Sequence, residues 1–185
     1  YGQTFHCWKE KGHGWVSLKN AMKQSCDTYF YEVARLLGVD RLNITAEKFG
    51  LGKKVLGDFF ENEKKGLFPN TEWKKNNLGR GWVLGETLIT GIGQGYIQST
   101  PLQLCMMTAQ IANGGYAIKP KIIVDSNPIS YEDAKQSMES QLLFNNDSKV
   151  LIDKKLFKDK KNIKIVQEAI FSSTNERFGT SYKSR

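Results

Sequence analysis

The sequence predicts a helix-rich α+β fold, and three patterns support that prediction. Apolar residues recur at three- and four-residue steps over residues 16–22 and again over residues 29–37, as they do on amphipathic helices. Residues 100–113 form a third predicted helix, because both of its ends carry capping residues. Two short apolar runs, residues 116–118 and 122–124, are typical of strand pieces.

The remaining elements are weaker. Gly38 is expected to end the second helix, and residues 40–49 form a shorter helix closed by a Gly-Leu-Gly turn. The segment 56–82 is rich in glycine, asparagine and charge. We predict a long loop there with one helical turn, anchored by Trp73 and Trp82.

The carboxyl-terminal part has one further predicted helix. Residues 125–148 carry polar side chains with little periodicity and are predicted to be a flexible insert. A final helix is marked by the apolar positions Ile163, Val166, Ile170 and Phe171.

The helix over residues 100–113 has the clearest boundaries. Thr100 and Gln103 have capping-box spacing, and Pro101 occupies the first helical position, where its missing N–H costs nothing. Asn113 and the two glycines after it suit the carboxyl-terminal cap. Its apolar residues cover more than one face, so we predict a core helix in which Cys105 is an inert buried thiol.

Composition restricts the class of protein. The chain has 185 residues, 39% hydrophobic and 11% aromatic, which suits one folded domain. No apolar run approaches the ~20 residues of a membrane helix, and no signal peptide is recognisable. The net charge is +8, but the lysines are scattered and residues 153–161 mix both signs, so we predict no nucleic-acid binding.

Two stretches carry a resemblance to a known family. Residues 91–115, GIGQGYIQSTPLQLCMMTAQIANGG, resemble the G-x-G-Q-x(5)-T-P-L-Q-L…A-N-x-G signature of penicillin-binding transpeptidases. Residues 13–31 resemble the region around the second active-site motif, most closely in the class B branch called penicillin-binding protein 2. Further similarity continues at residues 37–40 and 49–52 and at Pro69 and Trp73, and resumes at residues 177–180.

The resemblance implies a fold and a domain organisation. The expected fold is the penicillin-binding, serine β-lactamase-like transpeptidase fold, with residues 1–185 forming part of that domain, mostly its helical subdomain. Residues 1–124 are then a helical core that carries a Ser-x-Asp motif, and residues 125–160 are a variable insert. Residues 161–185 are a helix leading towards the Lys-Thr-Gly strand of the family.

Two of the three motifs of this family are absent. No serine in the chain is followed three residues later by lysine, and neither Lys-Thr-Gly nor Lys-Ser-Gly occurs. We therefore interpret the chain as an internal fragment that holds the middle motif. We expect the chain alone to have no acyl-transfer activity and to form no covalent penicillin adduct, because Ser25 lacks the lysine that a serine nucleophile requires.

Ser25 and Asp27 are the candidate catalytic residues. Read alone, a serine and an aspartate between two helices favour helix capping. The resemblance instead implies that Ser25 faces the nucleophile and relays a proton, since a hydroxyl donates and accepts at once. Asp27 stands where the family usually has asparagine. An ionised carboxylate cannot donate to a substrate carbonyl, so we expect Asp27 to hold a lysine instead.

Cys7, His13 and Cys26 are candidate metal ligands. Two thiols and an imidazole suit tetrahedral zinc, but the spacing alone is weak. A core Cys26, a turn residue at His13 and a Cys7–Cys26 disulfide all remain open. Some members of the resembling branch have an acidic residue in place of Cys7 and another upstream, and there the arrangement implies structural zinc.

Three functions are consistent with the sequence. The first is part of a peptidoglycan D,D-transpeptidase that acts on stem peptides and is acylated by β-lactams. The second is a penicillin-binding sensor domain without turnover, and the third is a zinc-stabilised interaction module. The resemblance further implies a bacterial inner-membrane protein whose anchor lies outside this segment. Its transpeptidase domain would face the periplasm and its partner would be a membrane glycan polymerase of the cell-elongation machinery.

Overall fold

The computed structural model describes residues 4–56, 60–120 and 155–182. These ranges hold seven α-helices: α1 Leu18–Lys23, α2 Asp27–Leu37, α3 Val39–Lys48, α4 Thr71–Leu78, α5 Leu84–Gly91, α6 Pro101–Ala112 and α7 Lys160–Asn175. Extended pairing within the described residues is limited to two isolated antiparallel bridges, Leu67 with Gln98 and Tyr116 with Lys155.

Two helix pairs form the centre of the fold. Helix α1 packs against α7, where Ala21 and Ala169 are completely buried, and α2 packs against α5. The second contact is close because Gly91 of α5 faces Ala34 and the carbonyl of Phe30, leaving no room for a side chain. Small residues at both contacts therefore let the helix axes approach each other, and α1 is fixed between α2 and α7.

Helix α6 confirms the predicted caps but not the predicted burial. Thr100 accepts from the Gln103 N–H, and Gln103 accepts in return from the Thr100 N–H at 2.9 Å. Its buried side chains are Gln103, Met106 and Gln110, whereas Leu104 is 45% exposed. Cys105 is exposed, so the prediction of a buried core thiol was wrong.

The two buried glutamines of α6 satisfy backbone groups of distant loops. The Gln103 amide nitrogen donates to the carbonyls of Lys53 and Lys65, at 2.7 and 2.8 Å. Gln110 donates to the Phe49 carbonyl and accepts from the Ile118 N–H. These two side chains thus supply hydrogen-bond partners to three backbone carbonyls and one backbone N–H, groups that cost free energy when they are left without a partner away from water.

The segment predicted as a long loop contains a true helix. Helix α4 is capped by Asn70, whose side chain accepts from the Trp73 N–H at 2.7 Å. Trp73 and Trp82 both contact the ring of Tyr96, which confirms them as anchors. Helix α5, which follows, was not predicted.

The other predicted helices are confirmed with small changes of boundary. Gly38 ends α2 at φ 75°, and α7 contains all four predicted apolar positions, with Ile163 buried and Phe171 64% exposed. Of the strand pieces, residues 116–118 contribute only the Tyr116 bridge, and residues 122–124 lie outside the described residues. The predicted flexible insert at residues 125–148 also lies outside them, and of the variable insert at residues 125–160 only residues 155–160 are described. No helix among the described residues is both long and apolar enough to cross a membrane.

Candidate functional site

Ser25 lies in the tight connection between α1 and α2. The turn is closed by the Ser25 N–H, which donates to the Met22 carbonyl at 3.2 Å, and by the Cys26 N–H, which donates to the Ala21 carbonyl at 2.9 Å. Ser25 adopts φ 51°, in the left-handed region that disfavours any residue with a Cβ. Such a conformation costs roughly 1–2 kcal/mol, so the surrounding contacts have to hold it.

Trp8 supplies the first of those contacts. Its indole N–H donates to the Ser25 carbonyl at 2.7 Å and to the Gln24 carbonyl at 3.3 Å. The backbone N–H of Trp8 donates to Asp27 Oδ2 at 2.8 Å. The amino-terminal loop is thus attached to both sides of Ser25 through one residue. Where we expected Asp27 to hold a lysine, its described partner is this backbone amide.

Thr180 supplies the second contact. Its hydroxyl lies 3.0 Å from Ser25 Oγ and 3.2 Å from Ser173 Oγ, and its backbone N–H donates to the Lys23 carbonyl at 3.0 Å. The residues after α7 therefore return to the connection between α1 and α2.

Helix capping does not explain the Ser25 side chain. The residue that caps α2 is Cys26, which makes no side-chain cap hydrogen bond, and Asp27 is the first residue of the helix. Ser17 is the serine that caps α1, accepting from the Asn20 N–H. The Ser25 hydroxyl instead contacts Thr180, on a segment more than 150 residues away.

Glu176 fixes the end of α7 beside this site. It accepts hydrogen bonds from Lys23 at 2.8 Å, from Ser172 at 2.9 Å and from Lys19 at 3.1 Å. These donors, with Lys23 contributing most, lower the pKa of Glu176 from its ordinary 4.5 to about 2. The carboxylate is therefore charged at neutral pH and attaches α7 to α1, one turn from Ser25.

Cys7, His13 and Cys26 converge next to the same connection. Their ligand atoms all lie within 4.8 Å of one another, and Cys7 Sγ is 3.3 Å from His13 Nδ1. Cys26 is only 2% exposed, and its sulfur is 3.4 Å from the Thr28 hydroxyl. Desolvation and then the charge of Lys9 lower the pKa of His13, and Asp27 opposes them with a smaller effect. The net lowering favours the neutral imidazole.

This donor set fits zinc. Ligand atoms around a tetrahedral zinc ion are about 3.3–3.8 Å apart, given Zn–S and Zn–N bonds of ~2.3 and ~2.0–2.1 Å. Separations within 4.8 Å therefore need only small side-chain movements. The two sulfurs are also close enough to leave the disulfide interpretation open, and all three cysteines are free thiols in the structure.

Sequence reasoning identified five of the residues that meet here but missed Trp8 and Thr180. Thr180 lies in one of the segments that carried the family resemblance, and Trp8 adjoins the candidate ligand Cys7. Neither has a spacing that marks a contact with Ser25. Both also line an open groove of about 510 Å³, together with His13, Arg177 and Phe178 among others.

Comparison with known protein families gives a match over almost the whole chain. Residues 1–183 match the family described as penicillin binding protein transpeptidase domain. A peptidoglycan D,D-transpeptidase MrdA of Acinetobacter baumannii is 44% identical over 119 residues, 64% of this chain and 18% of that protein. The MrdA of Escherichia coli K12 is 36% identical over 134 residues, 72% of this chain and 20% of that protein. The chain thus spans about a fifth of the length of these relatives.

Solved structures agree. Penicillin-binding protein 2 of Pseudomonas aeruginosa, in complex with WCK 5153, is 37% identical with a TM-score of 0.78, covering 99% of this chain and 38% of that one. The protein of the same name from Helicobacter pylori, in complex with MreC, is 29% identical with a TM-score of 0.78, covering 100% of this chain and 31% of that one. The described helices therefore have the arrangement found in the helical part of these transpeptidases.

Proposed function

The chain belongs to the penicillin-binding protein transpeptidase family, and we propose that the intact protein is a peptidoglycan D,D-transpeptidase of the penicillin-binding protein 2 type. Such an enzyme cross-links cell-wall stem peptides by serine acyl transfer, and penicillin acylates the same serine. The observation that carries the proposal is the family match over residues 1–183, together with a Ser25 hydroxyl that is held outside any capping role.

In this proposal Ser25 moves a proton. Acyl transfer requires a proton to leave the attacking hydroxyl and another to reach the departing amine, and a serine hydroxyl can accept one and donate the other. Neither Ser-x-x-Lys nor Lys-Thr-Gly occurs within the 185 residues, so other segments of the intact protein have to supply the nucleophile and its lysine. The chain alone is expected to form no covalent adduct with a fluorescent penicillin.

Acylation of the full-length protein tests the role of Ser25. Ser25→Ala should slow labelling by a fluorescent penicillin by about 10²–10⁴-fold, the usual contribution of a proton-transfer group. Ser17→Ala is the matched control, because Ser17 caps α1 and should affect stability alone. Labelling of the Ser25 variant at the rate of the unmodified protein would count against the proposal.

We also propose that Cys7, His13 and Cys26 hold a structural zinc ion, with a fourth donor in addition. When bound, zinc would attach the amino-terminal loop rigidly to the connection between α1 and α2. The residues themselves connect the amino-terminal loop, through Cys7 and His13, to Cys26, the neighbour of Ser25. Bound thiolates are also protected from forming a disulfide.

Metal content separates the zinc and disulfide interpretations. Elemental analysis should find one zinc per protein, lost in Cys26→Ser but retained in Cys105→Ser, whose thiol is exposed and is not part of the cluster. A protein without metal, whose mass is two hydrogens lower until reductant is added, would support the disulfide instead.

The proposed setting is the cell-elongation machinery of the bacterial inner membrane, with the domain facing the periplasm. Two similar structures support this setting. The first is the Helicobacter pylori protein, which was solved in complex with MreC. Another similar structure, 26% identical with a TM-score of 0.63, belongs to a peptidoglycan synthase complex that coordinates polymerization and crosslinking. The proposed partner is accordingly a membrane glycan polymerase. Co-purification of such a polymerase with the full-length protein tests this.

A further inference from the structure

The hydroxyl of Ser25 has a described partner that the family match does not assign. Thr180 Oγ1 lies 3.0 Å from Ser25 Oγ, although the two residues are 155 positions apart. We propose that Thr180 is a positioning residue that sets the direction of the Ser25 hydroxyl. The inference rests on the proposed function, in which that hydroxyl transfers a proton.

The position of Thr180 is fixed by its own backbone. Its N–H donates to the Lys23 carbonyl at 3.0 Å, and Lys23 lies two residues before Ser25 in the same turn. The next residue, Ser181, donates from its N–H to the Ser173 carbonyl at 3.2 Å. Thr180 is therefore held between α1 and α7, and its hydroxyl faces Ser25 without depending on a flexible side chain. Threonine adds to this, because its branched Cβ restricts χ1.

Gly179 shows that the approach of this segment is close. A Cβ at Gly179 would overlap the carbonyl groups of Ser172 and Ser173 at the end of α7. The Gly179 N–H also donates to the Glu176 carbonyl at 3.0 Å, which continues the helix end into the turn. A residue without a side chain is therefore required immediately before Thr180, and the turn delivers the threonine to one place.

The chemistry of hydroxyl groups explains why this partner matters. A serine hydroxyl carries one hydrogen and two lone pairs, and it rotates freely unless a partner selects a direction. Thr180 has three oxygen neighbours, Ser25 Oγ, Ser173 Oγ at 3.2 Å and the Lys23 carbonyl at 3.4 Å. It can therefore accept the Ser25 hydrogen while donating elsewhere, or donate to Ser25. Either direction occupies one of the three hydrogen-bonding positions of the Ser25 hydroxyl and leaves the other two for a reacting group.

A double-mutant cycle in the full-length protein tests the inference. Thr180→Val removes the hydroxyl and keeps the shape, and should slow acylation by a fluorescent penicillin about 3–10-fold, the effect of one lost hydrogen bond. Thr180→Ser should restore the rate to within about 2-fold, since it keeps the hydroxyl. In a Ser25→Ala background, Thr180→Val should produce no further change, because the hydroxyl on which it acts is gone.

Two variants keep the test decisive. Ser173→Ala removes the other hydroxyl beside Thr180 without touching Ser25, and should change the rate by less than about 2-fold. Thr180→Ala replaces the valine variant if that one melts early, and its expected rate loss is the same.

The outcomes separate the two proposals. A rate loss of equal size with and without Ser25 would show a merely structural role for Thr180. If Thr180→Val is acylated at the rate of the original protein while Ser25→Ala is acylated slowly, the inference is overturned and the proposed function stands. Unchanged rates in both would overturn both.

Discussion

The buried ion pair between α4 and α5 gives the sharpest stability prediction. Lys74 and Glu86 have side chains that are only 6% and 19% exposed, and their charged groups are in direct contact. Lys74→Met keeps much of the apolar stem but removes the ammonium group. Breaking a buried pair costs roughly 3–5 kcal/mol, because the remaining charge is left without compensation.

The remaining contacts of Glu86 place the cost at the lower end of that range. Its carboxylate still accepts from the Val83 N–H at 3.0 Å and from the Tyr96 hydroxyl at 3.2 Å. We therefore expect Lys74→Met to lower the free energy of unfolding in water by about 3 kcal/mol, measured by urea denaturation. Lys75→Met, at the exposed neighbouring position of α4, should change it by less than about 0.5 kcal/mol.

The double variant Lys74→Met/Glu86→Gln isolates the charge. Glutamine carries no charge, its oxygen can accept from the Val83 N–H, and its NH2 group can donate to the Tyr96 hydroxyl oxygen, so the double variant should be more stable than Lys74→Met alone. If the effects of Lys74→Met and Glu86→Gln simply add, the ion pair is not what Lys74 contributes, and the reasoning is refuted.

The same pair predicts a pH dependence. Burial alone would raise the pKa of Glu86, but hydrogen bonds from Lys74, Val83 and Tyr96 outweigh it and hold the pKa below the ordinary 4.5. Its contribution to stability is therefore present above pH 4.5 and lost as the pH falls below that value. Loss of Lys74 removes a hydrogen bond and a charge that lower the pKa of Glu86, so that pKa should rise in Lys74→Met. The stability difference between the original protein and Lys74→Met should therefore shrink as the pH falls below 4.5.

Three further predictions concern other contacts. Trp8→Phe keeps a ring but loses the indole N–H bonds to the Ser25 turn, and urea denaturation should show a loss of about 1 kcal/mol; an unchanged midpoint would contradict the role of Trp8. Glu176→Gln should lower the melting temperature at neutral pH, and the difference should vanish as the pH falls from 4.5 to about 2, where the carboxylate is protonated; a constant difference would exclude the ion pairs as its cause. Gly91→Ala should cost about 1–3 kcal/mol through overlap with α2, against less than about 0.5 kcal/mol for Gly81→Ala, which has open space.

The helices that could be predicted are those with local signals. Thr100 and Gln103 mark the start of α6, and Gly38 marks the end of α2. These signals can be recognised in the sequence because capping depends on residues a few positions apart. Helix α5 has only half of such a signal, because Glu86 accepts from the Val83 N–H at 3.0 Å but valine has no side-chain oxygen to return the bond. Its N-cap Val83 makes no side-chain cap hydrogen bond, it contains two glycines, and its Glu86 is stabilised by Lys74 of another helix. Helix α5 is therefore stabilised by tertiary contacts, which local helix propensity does not predict.

Burial and the site contacts were harder to predict for a related reason. Helix α6 is apolar on more than one face, so its sequence could not show that Cys105 would be exposed while Gln103 is buried. The metal-ligand cluster was expected from resemblance rather than from spacing. The contacts of Trp8 and Thr180 end on backbone carbonyls and on another hydroxyl, and almost any sequence offers such partners. Only the folded chain shows which of them meet.

Position 103 requires a side chain that can donate hydrogen bonds, and not merely one of the right size. The Gln103 amide nitrogen serves two carbonyls, from Lys53 and Lys65, while its oxygen serves the Thr100 N–H. Glutamate has nearly the same shape, but its ionised carboxylate has no hydrogen to give, so both carbonyls would face a like partial charge. Deamidation of Gln103, which releases the amide nitrogen as ammonia and puts a water-derived oxygen in its place, would hardly change the volume of the side chain. It would remove the donor that both carbonyls share and turn an attraction between two loops and α6 into a repulsion.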